Sequence, residues 1–133
     1  MIYNYSFDGD TDIDFEQIMQ NLKIEFSTGK ITLMLSHDKL PKRRGKESIK
    51  HLAMKKAMVE YLKKLGEPEP KLEYGYLDVY APTLGIIVEC GDTPLRRIID
   101  NIKHREDIKE LWTIDINCAK NNEYEIIKFW NKK

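Results

Sequence analysis

Cysteine is scarce: the 133-residue chain has two, Cys90 and Cys118, spaced as neither a zinc knuckle nor a C-x-x-C redox pair. A disulfide scaffold is thereby excluded, and both read as buried thiols of a reducing compartment. No apolar run approaches the ~20 residues that cross a bilayer. Met1 to Tyr5 lacks the charged and apolar regions of a signal peptide, so a cytoplasmic location away from membranes is expected. Seven glycines and five prolines leave no low-complexity stretch that would argue for disorder. P-loop, dinucleotide, G-x-S-x-G and H-E-x-x-H patterns are all missing. The acidic run Asp8 to Asp14 begins like a calcium loop, but Ile13 and Met19 stand where an EF-hand needs glycine and glutamate, and that motif is excluded. Net charge is also lacking: 22 basic residues balance 22 acidic ones, so the whole molecule is no electrostatic magnet for nucleic acid.

What is present is 41% hydrophobic and 33% charged residues, the composition of one folded domain over 1–133. The charge is unevenly placed. Residues 1–20 carry Asp8, Asp10, Asp12, Asp14 and Glu16 without a lysine or arginine, whereas residues 38–64 carry ten basic residues. Ile2 to Phe7 reads as a short strand, and Phe15, Ile18, Met19 and Leu22 mark the stripe of a short helix. Residues 23–26 and 30–36 flank Ser27-Thr28-Gly29 and predict a hairpin. Together these form an N-terminal β-α-β-β extension over 1–45, ending in the basic loop Lys42-Arg43-Arg44-Gly45-Lys46.

From Glu47 to Leu65 apolar residues recur at helical spacing, and Gly66 stands where a left-handed cap is wanted. Leu72 to Ala81 and Ile86 to Gly91 predict strands joined by the loop 82–85. Thr93 is placed to cap a helix with Pro94 at its first position and an apolar face of Leu95, Ile98, Ile99 and Ile102, ending near Arg105. Leu111 to Cys118 predicts a strand buried on both faces, and Ala119 to Asn122 a turn. Tyr124 to Trp130 is compatible with a strand or a short helix. The fold class expected is α/β, an α+β mixed sheet. Trp112 and Trp130 read as packing residues; His51, one helical turn beyond Glu47, could reach the same site as that acid or a phosphate, although a partly exposed structural histidine is the plainer reading.

If the 82–85 loop closes symmetrically, pairs across the hairpin sum to 167, and Asp78 faces Glu89. Leu77, Val79 and Ala81 then share one apolar face with Ile86, Val88 and Cys90. Tyr76, Asp78, Tyr80, Ile87, Glu89 and Gly91 take the other. Two unit charges ~5 Å apart repel by roughly 3 kcal/mol at an effective dielectric of about 20. A divalent cation, a shared proton or nearby Lys/Arg would offset this, and hard oxygen donors favour Mg²⁺ or Mn²⁺. The plainer alternative is that both acids only solvate an exposed sheet face.

The order helix (47–65), strand (72–81), strand (86–91), helix (94–105), strand (111–118) resembles the core of the PD-(D/E)XK nuclease superfamily, the restriction-endonuclease-like fold. The resemblance covers residues 46–133. It is carried by Tyr76-Leu77-Asp78-Val79 and Ile87-Val88-Glu89-Cys90-Gly91. It implies a metal-dependent nuclease acting on DNA, with Asp78 and Glu89 holding Mg²⁺ or Mn²⁺ and Glu47 as a further acid on the preceding helix. The family's lysine two residues after the glutamate is replaced by Gly91. Arg97, or else Arg96 or Lys103, is the expected substitute cation. Lys42, Arg43, Arg44, Lys46 and Lys50, with Lys55 and Lys56, would grip phosphates, and a homodimer is in keeping with the resemblance. The alternative implied by Gly91 is a catalytically inactive relative that binds DNA or a protein partner.

Overall fold

A computed structural model describes residues 15–35, 49–72, 78–91, 93–117 and 120–132. The strand expected over 2–7, Glu47, the basic loop 42–46, Tyr76, Leu77 and Cys118 lie outside these. Among the described residues the chain is a mixed α+β structure, one six-stranded sheet with three helices.

The first helix, α1 (Phe15–Asn21), buries Phe15 and Met19 and turns at Lys23 into β1 (Ile24–Thr32). β1 corrects an expectation, because Ser27, Thr28 and Gly29 form no turn. They sit in mid-strand, paired with Lys128, Ile127 and Ile126 of the final strand, β6 (Glu123–Asn131). Polar residues on an edge strand resemble a turn locally; the nine-pair ladder supplied by β6 overrides that preference. β6 is itself a strand rather than a helix. It is reached through Asn121 and Asn122, both in the left-handed conformation that asparagine tolerates.

The second helix, α2 (Ile49–Lys64), buries Leu52, Met58 and Leu62 along one stripe with Met54 beside it. Full burial of each such side chain contributes about 2 kcal/mol. Its end is a Schellman motif: Glu67 N–H donates to Leu62 O (3.0 Å) and Gly66 N–H to Lys63 O (3.0 Å), with Gly66 at φ +111°. Leu65 falls beyond the helix and is exposed, against its expected place on the stripe. The chain then forms β2 (Lys71–Leu72), β3 (Val79–Ala81) and β4 (Ile86–Cys90), so the single strand expected over 72–81 is corrected to two, β2 and β3, paired antiparallel with Leu72 against Val79.

The third helix, α3 (Leu95–His104), joins β4 to β5 (Glu110–Ile114), which is shorter than the strand expected to Cys118. Pro94, not Thr93, occupies the cap position of α3, with extended ψ 139° and no side-chain cap. Its carbonyl accepts from Arg97 N–H (3.0 Å). The strand order is β1-β6-β5-β4-β3-β2, with β4 and β5 parallel and the other neighbours antiparallel. α2 packs on one face against Val79, Ala81, Val88, Trp112 and Ile114. α1 and α3 pack on the other face against Ile87, Leu111 and Phe129. Every residue of β4 is buried because helices cover both of its faces. None of the described helices is long and apolar enough to cross a membrane.

Candidate metal and phosphate site

The β3–β4 ladder pairs Val79 with Val88, Tyr80 with Ile87 and Ala81 with Ile86, all summing to 167 as expected. Its register is held at the loop. Buried Glu67 accepts hydrogen bonds from Leu84 N–H (2.9 Å) and Thr83 N–H (3.2 Å), and Gly85 turns at φ +73°. A Cβ at Gly85 would lie 3.1 Å from Asp107 O and 3.0 Å from Lys109 Cγ, so the backbone there admits only glycine without displacement.

Asp78 immediately precedes β3, one step beyond the ladder and opposite Glu89. Its Oδ2 accepts the Cys90 N–H at 2.7 Å, which fixes the carboxylate across the mouth of the hairpin. Glu89 is only 2% exposed, so the alternative of two acids merely solvating a sheet face does not hold. Its Oε1 is buried with no hydrogen-bond partner among the described residues. Burial is the main reason that its pKa rises to about 8, and the charge of Asp78 is the next. Arg97 and Lys55 pull it back, while a side-chain hydrogen bond with Asp78 adds to the rise.

Two cationic side chains and an imidazole surround the pair. Arg97, in the first turn of α3, places Nη1 3.7 Å from Glu89 Oε2. Lys55, on the buried stripe of α2, places Nζ 3.5 Å from Asp78 Oδ1, with its side chain only 5% exposed. His51, one turn earlier, places Nε2 3.6 Å from Asp78 Oδ2. The structure therefore brings together Asp78, Glu89 and Arg97 from the expected set. Arg96 and Lys103 are exposed on α3, and Lys50 is half-buried at the start of α2. Glu47, Lys42, Arg43, Arg44 and Lys46 lie outside the described residues.

Lys55 is a member of this site that its sequence reading places elsewhere, and His51, read chiefly as structural with the site or a phosphate in reach, joins it. The signal existed: Leu52, Lys55, Met58 and Leu62 follow one helical stripe, so a lysine falls where an apolar residue is due. His51 sits four residues before it on the same face. Gly91, where the resembled family carries lysine, adopts φ +97° and donates its N–H to Ile114 O at 2.9 Å. The strand end is thus bent in a way that disfavours any L-side chain, lysine included.

The donor set fits a divalent ion. Asp78 and the orphaned Glu89 Oε1 supply carboxylate oxygens, and a His51–Asp78–Cys90 group has one ligand atom from each within 4.8 Å of the others. Comparison with protein-family models, with curated proteins and with solved structures returns no match.

Proposed function

We infer that the protein is a metal-dependent phosphodiesterase acting on DNA, with Asp78, Glu89 and Lys55 at its centre. The observation that carries this is the buried Glu89 oxygen without a hydrogen-bond partner among the described residues, set beside Asp78 and flanked by cations from α2 and α3. A buried carboxylate oxygen left unpaired costs ~1–3 kcal/mol or more. Such a cost is offset when a cation occupies the position, or when the acid stays protonated.

When bound, Mg²⁺ or Mn²⁺ supplies Lewis-acid activation of water and of the phosphate. The chain's own residues do the rest. Asp78, fixed by the Cys90 amide, presents an oriented carboxylate. Lys55, locked in the α2 stripe, holds an ammonium group beside it and stabilises negative charge developing on a phosphate placed there. Preorganisation is the point: a buried lysine has little rotamer freedom left to lose. Arg97, 44% exposed, reaches Glu89 while keeping contact with solvent, and suits an electrostatic role toward the phosphate backbone. The basic residues Lys50 and 42–46 would extend that attraction.

The order α2-β2-β3-β4-α3-β5 with β4 and β5 parallel supports the restriction-endonuclease-like reading of the fold. Lys55 favours an active enzyme over an inactive relative, since it provides the cation that Gly91 cannot. The test is cleavage of assorted DNA substrates with Mg²⁺ or Mn²⁺ by the parent, Asp78→Ala and Glu89→Ala. Activity in the parent alone supports the assignment; equal activity in all three rejects it.

A further inference from the structure

Asp78 faces two different neighbourhoods. Toward α3 stands Glu89, an oxygen donor; toward α2 stand an imidazole and a thiol. His51 comes from the first turns of α2, Asp78 from the approach to β3 and Cys90 from the last position of β4, so three separate elements converge. Cys90 is buried in the core cluster on the α2 face, whereas Asp78 remains 18% exposed, which leaves a route in from solvent.

A nitrogen, an oxygen and a sulphur donor make a set that hard Mg²⁺ does not prefer and that borderline ions do. A tetrahedral ion with bonds of ~2.0–2.3 Å puts its donors ~3.3–3.8 Å apart. The three ligand atoms lie within 4.8 Å of one another, so closing onto such an ion requires side-chain shifts of about 1 Å. The two oxygens of Asp78 divide the work: Oδ1 faces Lys55, while Oδ2 lies 3.6 Å from His51 Nε2 and accepts the Cys90 amide. One oxygen can therefore serve an ion while the other keeps its lysine. The orphaned Glu89 Oε1 lies on the α3 side of Asp78 and is no part of this donor set.

We propose that His51, Asp78 and Cys90 form a site for a thiophilic divalent cation of the zinc class, with the fourth position open to water. Binding forms a metal–sulphur bond and releases the thiol proton to solvent. The site shares Asp78 with the phosphodiesterase reading and draws on the neighbouring His51, but it does not depend on DNA cleavage.

The experiment is titration of the full chain with Co²⁺, read by the near-ultraviolet thiolate-to-cobalt charge-transfer band. The expected result is a band in the parent that Zn²⁺ abolishes and excess Mg²⁺ does not. The chain's other cysteine, Cys118, is the internal control. The band should survive in Cys118→Ala and Glu89→Gln, vanish in Cys90→Ala, and require at least tenfold more Co²⁺ in His51→Gln. Circular dichroism of each variant reports folding, and the parent's own band decides the matter if Cys90→Ala misfolds. No band in the parent, a band retained in folded Cys90→Ala, or displacement by Mg²⁺ as effective as by Zn²⁺ would overturn the site. A Co²⁺ band together with no DNA cleavage rejects the phosphodiesterase while keeping the site; cleavage without the band does the reverse.

Discussion

Replacing Glu89 by glutamine should make the metal-free protein more stable at neutral pH. In the folded chain the Glu89 pKa is raised from 4.5 to about 8, chiefly by burial and then by the charge of Asp78. Between these two values the folded state holds a proton that the unfolded state has released. The folded state then binds more protons than the unfolded one, so stability falls as pH rises. The loss is absent below about pH 4.5 and complete above about 8, with roughly a tenfold change in the folding equilibrium per pH unit between them. By pH 7 it amounts to about 3 kcal/mol. Glutamine has the shape of the protonated acid without the linkage: its amide can donate toward Asp78 and its carbonyl can accept from Arg97. Urea denaturation in a chelating buffer at pH 5, 6, 7 and 8 measures the difference between parent and Glu89→Gln, in which contributions from titrating groups remote from Glu89 cancel. The gap should be small at pH 5 and reach about 3 kcal/mol near pH 7 in favour of glutamine. Mn²⁺ at a hundredfold its Kd should stabilise the parent by about 3 kcal/mol and the variant far less, which narrows the gap. A gap that does not change with pH, or a variant less stable than the parent at pH 7, would refute the reasoning.

Three further outcomes follow from the same geometry. Lys55→Met removes the buried cation beside Asp78. Since Asp78 keeps some solvent, the cost should fall short of the ~3–5 kcal/mol of a fully buried pair, at about 2 kcal/mol in urea, and Mg²⁺-dependent cleavage should drop about a hundredfold or more. Gly91→Lys should destabilise by about 1–2 kcal/mol because φ is +97° there, and it should not rescue cleavage in Lys55→Met. Glu67→Gln sets an amide N–H₂ against one of two backbone donors in the 82–85 loop and should cost about 2 kcal/mol, with faster amide exchange at Thr83 and Leu84 as the local readout.

The β3–β4 register was legible because its signal is local: a four-residue loop fixes the pairing arithmetic, and apolar residues sort to opposite faces in one register only. The Gly66 cap of α2 was legible for the same reason. The Ser27–Gly29 turn was not, because what makes β1 continuous is a partner nearly 100 residues away, and propensity gives no hint of it. At α3 the expected Thr93 cap failed by one residue, since Pro94 with extended ψ itself takes the boundary. The site divides similarly. Asp78 and Glu89 are readable from hairpin arithmetic, and Arg97 from its place in the first turn after β4. Lys55 reads by charge alone as one of several phosphate-gripping lysines, and only its place on the α2 stripe sets it apart. Cys90 was read as a buried thiol, and it is one. Its nearness to His51 depends on how α2 crosses the sheet, which sequence spacing does not encode.

The position of Asp78 explains why so much charge can gather in so small a protein. Fully inside the ladder and without counter-charges, the two opposed carboxylates would load the strand pairing with their whole repulsion. Instead it stands one residue before β3, where the hairpin opens. There the chain satisfies Oδ2 with the Cys90 amide and Oδ1 with Lys55 from the opposite layer. Glu89 is left with Arg97 from α3 and with one oxygen that no described residue satisfies. The compensation comes from both helical layers at once, Lys55 from α2 and Arg97 from α3. Loss of either helix's cation should therefore register at both carboxylates. In particular, Arg97→Met should push the Glu89 pKa still higher and carry the fall of stability on beyond pH 8, whereas Arg96→Met, at an exposed neighbouring position, should not. Carbon-detected NMR titration of the Glu89 carboxyl separates the two, and equal curves for both variants would show that α3 does not share in holding the site's charge.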